Sequence, residues 1–356
     1  MKKKIYDFLR GLRKRRQYRR MRNHLRKRVN SRLLGLKGAY PKLTEEEKEE
    51  IGEFYKKHGL PLSTYAFHEF YKVLNGMHDP RYLTEDVYYD LFDKRFNDWN
   101  AAKYIDDKTL YRLIFAGIPQ PSLLGYRQNG FWFNEAGDPI SSEELKRICA
   151  SRKDIFIKQA RQSYGGKGVH CIAGNSLNPA ELPKDSLVIQ EALSQSPQLA
   201  SINPSSVNTL RVLTFLRKDG TVKICSSILR MGRGGSRVDN ASSGGITIGI
   251  REDGTLKDVA FSVTGEAFTE HPSSNVRFSG ISIPNYDKVL DFVTALSARI
   301  PYFRLVSWDV ALDTNNDPVL IEANLCDGEL DFHQFNNGPV FGDETEAILR
   351  EALKRD

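Results

Sequence analysis

Asp309, Glu322 and Asn324 are the side chains of this sequence whose types and spacing could most directly do chemistry. They lie in residues 305–326, LVSWDVALDTNNDPVLIEANLC, which read as a hairpin. Leu305 to Leu312 is apolar and β-prone, Asp313 to Pro318 is turn chemistry, and Val319 to Ala323 is a second strand. Pairing the strands about the middle of the turn sets Asp309 opposite Glu322. The period of two then puts Asn324 on the face of Glu322. Val310, Leu312, Val319, Ile321 and Ala323 are expected to face a core. Neighbouring carboxylates repel unless a cation sits between them. Two carboxylates and a carboxamide oxygen suit Mg²⁺, which keeps several waters and shares substrate phosphates. The alternative is a surface hairpin whose acids face solvent.

Cations that could meet phosphates lie upstream. Residues 154–172, DIFIKQARQSYGGKGVHCI, read as a strand ending at Lys158, a glycine-rich turn and a returning strand. The turn is Ser163-Tyr164-Gly165-Gly166-Lys167-Gly168. Glycines let successive backbone N–H groups turn toward one anion, and two lysines add charge. No helix follows at once, so this is neither a Walker loop nor a dinucleotide-binding turn. A phosphate-covering hairpin and a flexible surface hairpin both remain open. Asp106 is expected to cap a helix that carries Lys108 in its first turn, where a cation opposes the helix dipole and favours an anionic partner. Gln190 and Glu191 interrupt the apolar strand Leu187 to Leu193. A hairpin of Thr209 to Leu216 and Val222 to Leu229 projects Arg211 and Arg230. The loop Gly232 to Asn240 and then Ser242-Ser243-Gly244-Gly245 follow. Arginine forks and open backbone are what a phosphoryl-transfer site uses to spread charge.

The elements that must hold these groups fit a chain of 356 residues, enough for about two domains. Apolar content of 40% and charged content of 27% are those of a globular protein. No apolar run is long enough to cross a membrane, and the basic start lacks the apolar core of a secretory signal. The net charge of +7 hides an asymmetry: residues 1–37 hold 16 Lys and Arg with one acid, the remainder 36 with 44 acids. The four cysteines share no metal-ligand spacing, so free thiols in a reducing cytoplasm are expected.

Residues 1–37 read as a basic helix with two short apolar stripes, Ile5, Phe8, Leu9, Leu12 and Tyr18, Met21, Leu25, Val29. Such an arm fits an anionic membrane surface. Its few aromatics disfavour nucleic acid, and packing against the body is the alternative. Residues 41–105 read as a helical adaptor. Thr44 to Glu47 forms a capping box, Ser63 starts a second helix that ends at Asn75-Gly76, and Thr84 caps a third. His58, His68 and His78 are ten apart, which is no metal spacing. The expected domains are 1–40, 41–105, 106–190 and 191–356.

The order of these features resembles the ATP-grasp superfamily, most closely its sugar-transfer-associated family of bacterial polysaccharide gene clusters. The echoes are Asp107-Lys108, Lys158 before a glycine loop, Gln190-Glu191, Val238-Asp239-Asn240 with Gly244-Gly245, Glu270-His271-Pro272, Trp308-Asp309-Val310 and Ile321-Glu322-Ala323-Asn324, over about residues 80–345. The resemblance implies an α+β fold of two subdomains gripping ATP, preceded by the helical region and the arm. It implies ATP phosphates at Lys108 and Lys158 under residues 163–169, and adenine at Glu191, Ala192 and Leu193. It implies two Mg²⁺ ions at Asp309, Glu322 and Asn324, and the transferred phosphoryl group or acceptor at Arg211, Arg230 and Asn240. His271 and Asp327, with Glu329 and His333, are candidates for an acceptor pocket. Gln159 departs from the proline common in relatives, and the run Ser194 to Asn208 leaves the ribose contact unassigned. The implied activity is a carboxylate–amine ligase working through an acylphosphate on a glycan or its precursor. The expected location is the cytoplasm, peripheral at the inner face of the membrane. A kinase of a sugar or polyol, or a nucleotide-binding scaffold at the membrane, are the alternatives.

Overall fold

The computed structural model describes residues 2–36, 40–161, 168–237, 239 and 244–354, with backbone only for residues 2–15. It divides into two units. The first comprises Met1–Asn97, Thr264–Ala267 and Glu329–Asp356; the second comprises Asp98–Val263 and Phe268–Gly328.

The first unit is helical. Its opening helix α1 runs unbroken over Lys2–Gly35. Leu25, Val29 and Leu33 recur at helical spacing and are buried, so the C-terminal half of α1 packs on the unit. Thr44 caps the helix Glu45–Lys57 with the expected reciprocal box to Glu47. The next helix covers Ala66–Asn75, later than its expected start at Ser63, and ends on left-handed Gly76. Ser63 is instead bonded to Asp86. Thr84 precedes a helical run from Glu85 to Phe96 whose middle turn, Tyr88–Phe92, is π-helical. Buried Tyr55, Phe67, Phe70, Tyr71, Tyr82 and Phe92 fill the core, and Phe70 meets Phe335 of the helix Leu330–Asn337 edge to face.

The second unit holds two antiparallel sheets. Strands β1 (Leu123–Gln128), β2 (Phe131–Phe133), β3 (Pro139–Ile140), β4 (Asp154–Gln159), β5 (Val169–Ala173) and β6 (Leu187–Glu191) form one, in the order β3-β2-β1-β6-β4-β5. The helix Ser142–Ala150 buries Leu145 and Cys149 against Leu124, Ile155, Ile157 and Ile189 of this sheet. The second sheet holds β7 (Thr209–Leu216), β8 (Val222–Met231), β9 (Ile246–Ile250), β10 (Leu256–Ser262), β11 (Ala267–Phe268), β12 (Leu305–Leu312) and β13 (Pro318–Asn324), in the order β11-β10-β9-β8-β7-β12-β13. The helix Tyr286–Arg299 lays Val289, Val293 and Leu296 on it.

Three local expectations are corrected. The helical turn at Lys108 is capped by Asp107, whose carboxylate accepts from Thr109 N at 2.9 Å; Asp106 already ends the helix Trp99–Ile105. Arg230 lies within β8, which continues to Met231. Asp309 does pair with Glu322, but the register shifts beside them: Val310 faces Leu320, and Ile321 is the extra residue of a bulge. Leu320 rather than Ile321 therefore joins Val310, Leu312 and Ala323 in the core.

Candidate active site

Asp309 stands mid-strand in β12, flanked by β7 and β13. Its register partner on β7 is Arg211, and Arg230 comes from β8 beyond it. Arg211 grips Asp309 with two parallel bonds, Nε to Oδ1 at 2.7 Å and Nη2 to Oδ2 at 2.8 Å. Arg230 Nη1 adds a third at 2.9 Å. All three residues are buried. Burial alone would raise the Asp309 pKa, but the two guanidiniums hold it at about 2. Asp239, beyond Arg230 at 3.9 Å, accepts from Thr209 Oγ1.

Glu322 Oε1 accepts from Lys108 Nζ at 2.7 Å, and the Lys108 side chain is only 8% exposed. Burial opposes the lysine charge, but Glu322, with Asp106 and Asp309, outweighs it and raises the pKa. Lys158 on β4 is the contrasting cation: burial and the charge of Lys108 bring its pKa down to about 8, against the pull of Glu322 and Asp239. A cation partly stripped of water beside another cation gains by receiving an anion. Lys108, Lys158, Arg211 and Arg230 thus gather around Asp309 and Glu322.

Donor chemistry decides whether a divalent cation fits. Asp309 has both oxygens committed to arginine. Glu322 Oε2 has no protein partner among the described residues, and Asn324 donates through Nδ2 to Ser307 O at 3.0 Å, leaving its amide oxygen. These two hard oxygens fit Mg²⁺ that completes its shell with water and phosphate. A cation bound at Asp309 would share these oxygens with the guanidiniums, since each carboxylate oxygen has two lone pairs. No three His, Cys, Asp or Glu side chains among the described residues form a closed metal site.

A cleft of about 360 Å³ opens beside β4 and the end of β6, lined by Phe156, Asp154, Glu191, Leu193, Ser206 and Arg237 among others. The strand expected to Leu193 stops at Glu191. The Ala192 N–H is spent on Asp154 O at 3.0 Å, whereas the Leu193 N–H has no backbone partner among the described residues. Gln190 sits in the sheet between Leu123 and Phe156. Residues 194–208 are well built: Gln195 bonds Asn203 O, Ser206 O and Asn208 N, and the helix Pro197–Ile202 lies between.

The remaining expected residues divide clearly. Ser163, Tyr164, Gly165, Gly166, Lys167 and Asn240 lie outside the described residues. Gly168 has φ +82° and returns the chain into β5. His271 is buried with both ring nitrogens engaged, Nε2 with Gly232 O at 2.8 Å and Nδ1 with Ser273 N at 3.3 Å; burial lowers its pKa. Asp327 is exposed in a left-handed turn. Three residues escaped the sequence reading. Arg161 donates to Asp107 at 2.7 Å. Arg237 bonds Asp154 at 3.0 Å over the cleft. Asp239 lies within a motif whose asparagine drew the attention instead. None has a spacing that marks it, because each partner comes from a distant part of the chain.

Two antiparallel sheets thus bring lysines, arginines and acids together in one site. Residues 178–350, just under half of the chain, match the family described as sugar-transfer associated ATP-grasp. No curated protein matches the sequence. Among solved structures, the ATP-grasp ligase PsnB with a phosphomimetic variant of its minimal precursor, Mg and ADP is similar at TM-score 0.41 and 14% identity, over 72% of this chain and 61% of that one. The N5-carboxyaminoimidazole ribonucleotide synthetase of Thermotoga maritima gives 0.38 and 11%, over 66% and 49%. The biotin carboxylase domain of the Hydrogenobacter thermophilus 2-oxoglutarate carboxylase, with MgADP and bicarbonate, gives 0.42 and 13%, over 73% and 48%. The chain thus spans about half to six tenths of the length of these proteins.

Proposed function

We propose that this protein is an ATP- and Mg²⁺-dependent carboxylate–amine ligase acting on a cell-surface glycan or its precursor. The observation that carries the reading is the set of four cations, Lys108, Lys158, Arg211 and Arg230, drawn around Asp309 and Glu322. The family's association with sugar transfer supports the glycan.

In this reading adenine enters the cleft against Phe156 and takes a hydrogen bond from Leu193 N–H. Lys158, short of an anion, meets the phosphates, and Lys108 turns from Glu322 toward them. Glu322 and Asn324 would hold Mg²⁺, which supplies charge neutralisation for the phosphates when bound. Arg211 and Arg230, fixed by Asp309, present preset guanidinium forks to the group in transfer, so little reorganisation is needed as charge develops. The acceptor carboxylate attacks the terminal phosphorus of ATP, and ADP leaves. The amine then attacks the acylphosphate carbonyl, phosphate leaves, and the amide remains after the amine loses a proton. No protein nucleophile is required.

Titration of a nonhydrolysable ATP analogue with Mg²⁺ into wild type and Glu322→Ala tests the site, with an expected loss of about 100-fold in affinity for the variant. An ADP-release screen against uronic acids and amino acids tests the reaction. ADP release that requires both an acid and an amine, with hydroxylamine trapping the acylphosphate, is the expected result. A phosphorylated hydroxyl product formed without an amine would replace the ligase with a kinase, and binding without turnover would replace it with a scaffold.

A further inference from the structure

The helix α1 carries two kinds of charge. In its C-terminal half, Arg32 Nη1 bonds Asp331 at 2.6 Å within the core, and Arg28 bonds the buried Glu85. These arginines are neutralised by the unit on which Leu25, Val29 and Leu33 pack. The N-terminal half differs. Residues 2–20 hold ten Lys and Arg with one acid, Asp7. Arg16, Arg19 and Arg20 are exposed and form no ion pair among the described residues. Thirty-four residues in one helix span about 50 Å, so its N-terminal half is itself about 25 Å long. Ile5, Phe8, Leu9 and Leu12 recur in the sequence at intervals of three and four within this cationic stretch.

We infer that the first 20 residues form an arm that lies on an anionic lipid bilayer, with the buried half of α1 as its fixed root. Charge complementarity selects an anionic partner. The apolar repeat selects lipid over nucleic acid, because phosphate contact alone has no use for Phe8 and Leu12, whereas an interfacial helix buries them below the headgroups. No helix among the described residues is long and apolar enough to cross a membrane, so the arm attaches along the surface.

The test floats the full chain with vesicles of phosphatidylcholine alone or with about 30% phosphatidylserine. Wild type is expected to float with the anionic vesicles only, and to be released when salt rises from about 0.1 M to about 0.5 M. The triple variant Arg16→Glu, Arg19→Glu, Arg20→Glu is expected to lose at least about tenfold in partition. Phe8→Ser with Leu12→Ser is expected to weaken vesicle binding and leave any binding to duplex DNA unchanged. Equal flotation on neutral vesicles, no effect of either variant, or tighter binding to DNA than to anionic vesicles would overturn the inference. The salt release of wild type asks the same question should the charge-reversed variant fail to fold.

Discussion

Asp309 shows how one buried carboxylate can organise a site before any ligand arrives. Its three guanidinium bonds are strong because they are charge-assisted and desolvated, and for the same reason the partners cannot be removed singly. Arg211→Ala should lower unfolding stability by about 3 kcal/mol in chemical denaturation. The acid limb follows from linkage. The folded pKa of about 2 lies below the ordinary 3.8, so the contribution is present above about pH 4 and lost as pH falls toward 2. Wild type should lose roughly 2 kcal/mol over that window, and Asp309→Asn should lack this loss. Lys158 gives the opposite limb. Its folded pKa of about 8 lies below 10.5, so the folded state binds fewer protons between those values and stability rises with pH across them. Bound phosphates would restore the charge. ATP binding at about pH 9 should therefore take up a proton, seen as a buffer-dependent binding enthalpy, and Lys158→Met should abolish the uptake.

Elements determine where these side chains meet. The bulge at Ile321 lets Leu320 and Ala323 both reach the core while Glu322 stays opposite Asp309. A similar constraint governs the first sheet at Gly174, where a Cβ would stand 2.1 Å from Cys149 O and 2.4 Å from Arg152 O. Backbone cannot yield there as a flexible side chain would. Gly174→Ala should destabilise by about 3 kcal/mol or more, with loss of the packing of Ser142–Ala150. Gly130, at φ +85° in the β1–β2 turn with open space around it, should lose only about 1 kcal/mol as alanine. Denaturation curves of the two variants separate steric overlap from backbone preference.

Across the whole molecule, distant stretches of sequence close each unit. The helical unit takes residues from both ends of the chain, and the Arg32–Asp331 pair joins positions 299 apart. Burial and the neighbouring Asp331 raise the Glu85 carboxyl pKa, so this cluster depends on its arginines. Arg32→Ala leaves Asp331 with Arg28 at 3.8 Å as its remaining ion pair among the described residues. It should destabilise the helical unit by about 3 kcal/mol. Hydrogen exchange should quicken in Ala66–Asn75 and Leu330–Asn337 while β7 and β12 keep their protection.

The sequence by itself determined what depends on local pattern. Period-two alternation and turn residues are short-range signals, so the hairpin 305–324, the Asp309–Glu322 pairing, the Thr44 capping box and the two strands after Lys153 and Gly168 were legible, as was the likeness of residues 178–350 to the sugar-transfer associated ATP-grasp family. Only tertiary structure decided the partners. That Asp309 is held by Arg211 and Arg230, that Lys108 reaches Glu322 across 214 positions, and that half of a basic helix is rooted in the core all follow from strand order and packing. An electrostatic partner is chosen by distance in space, and no spacing along the chain encodes it.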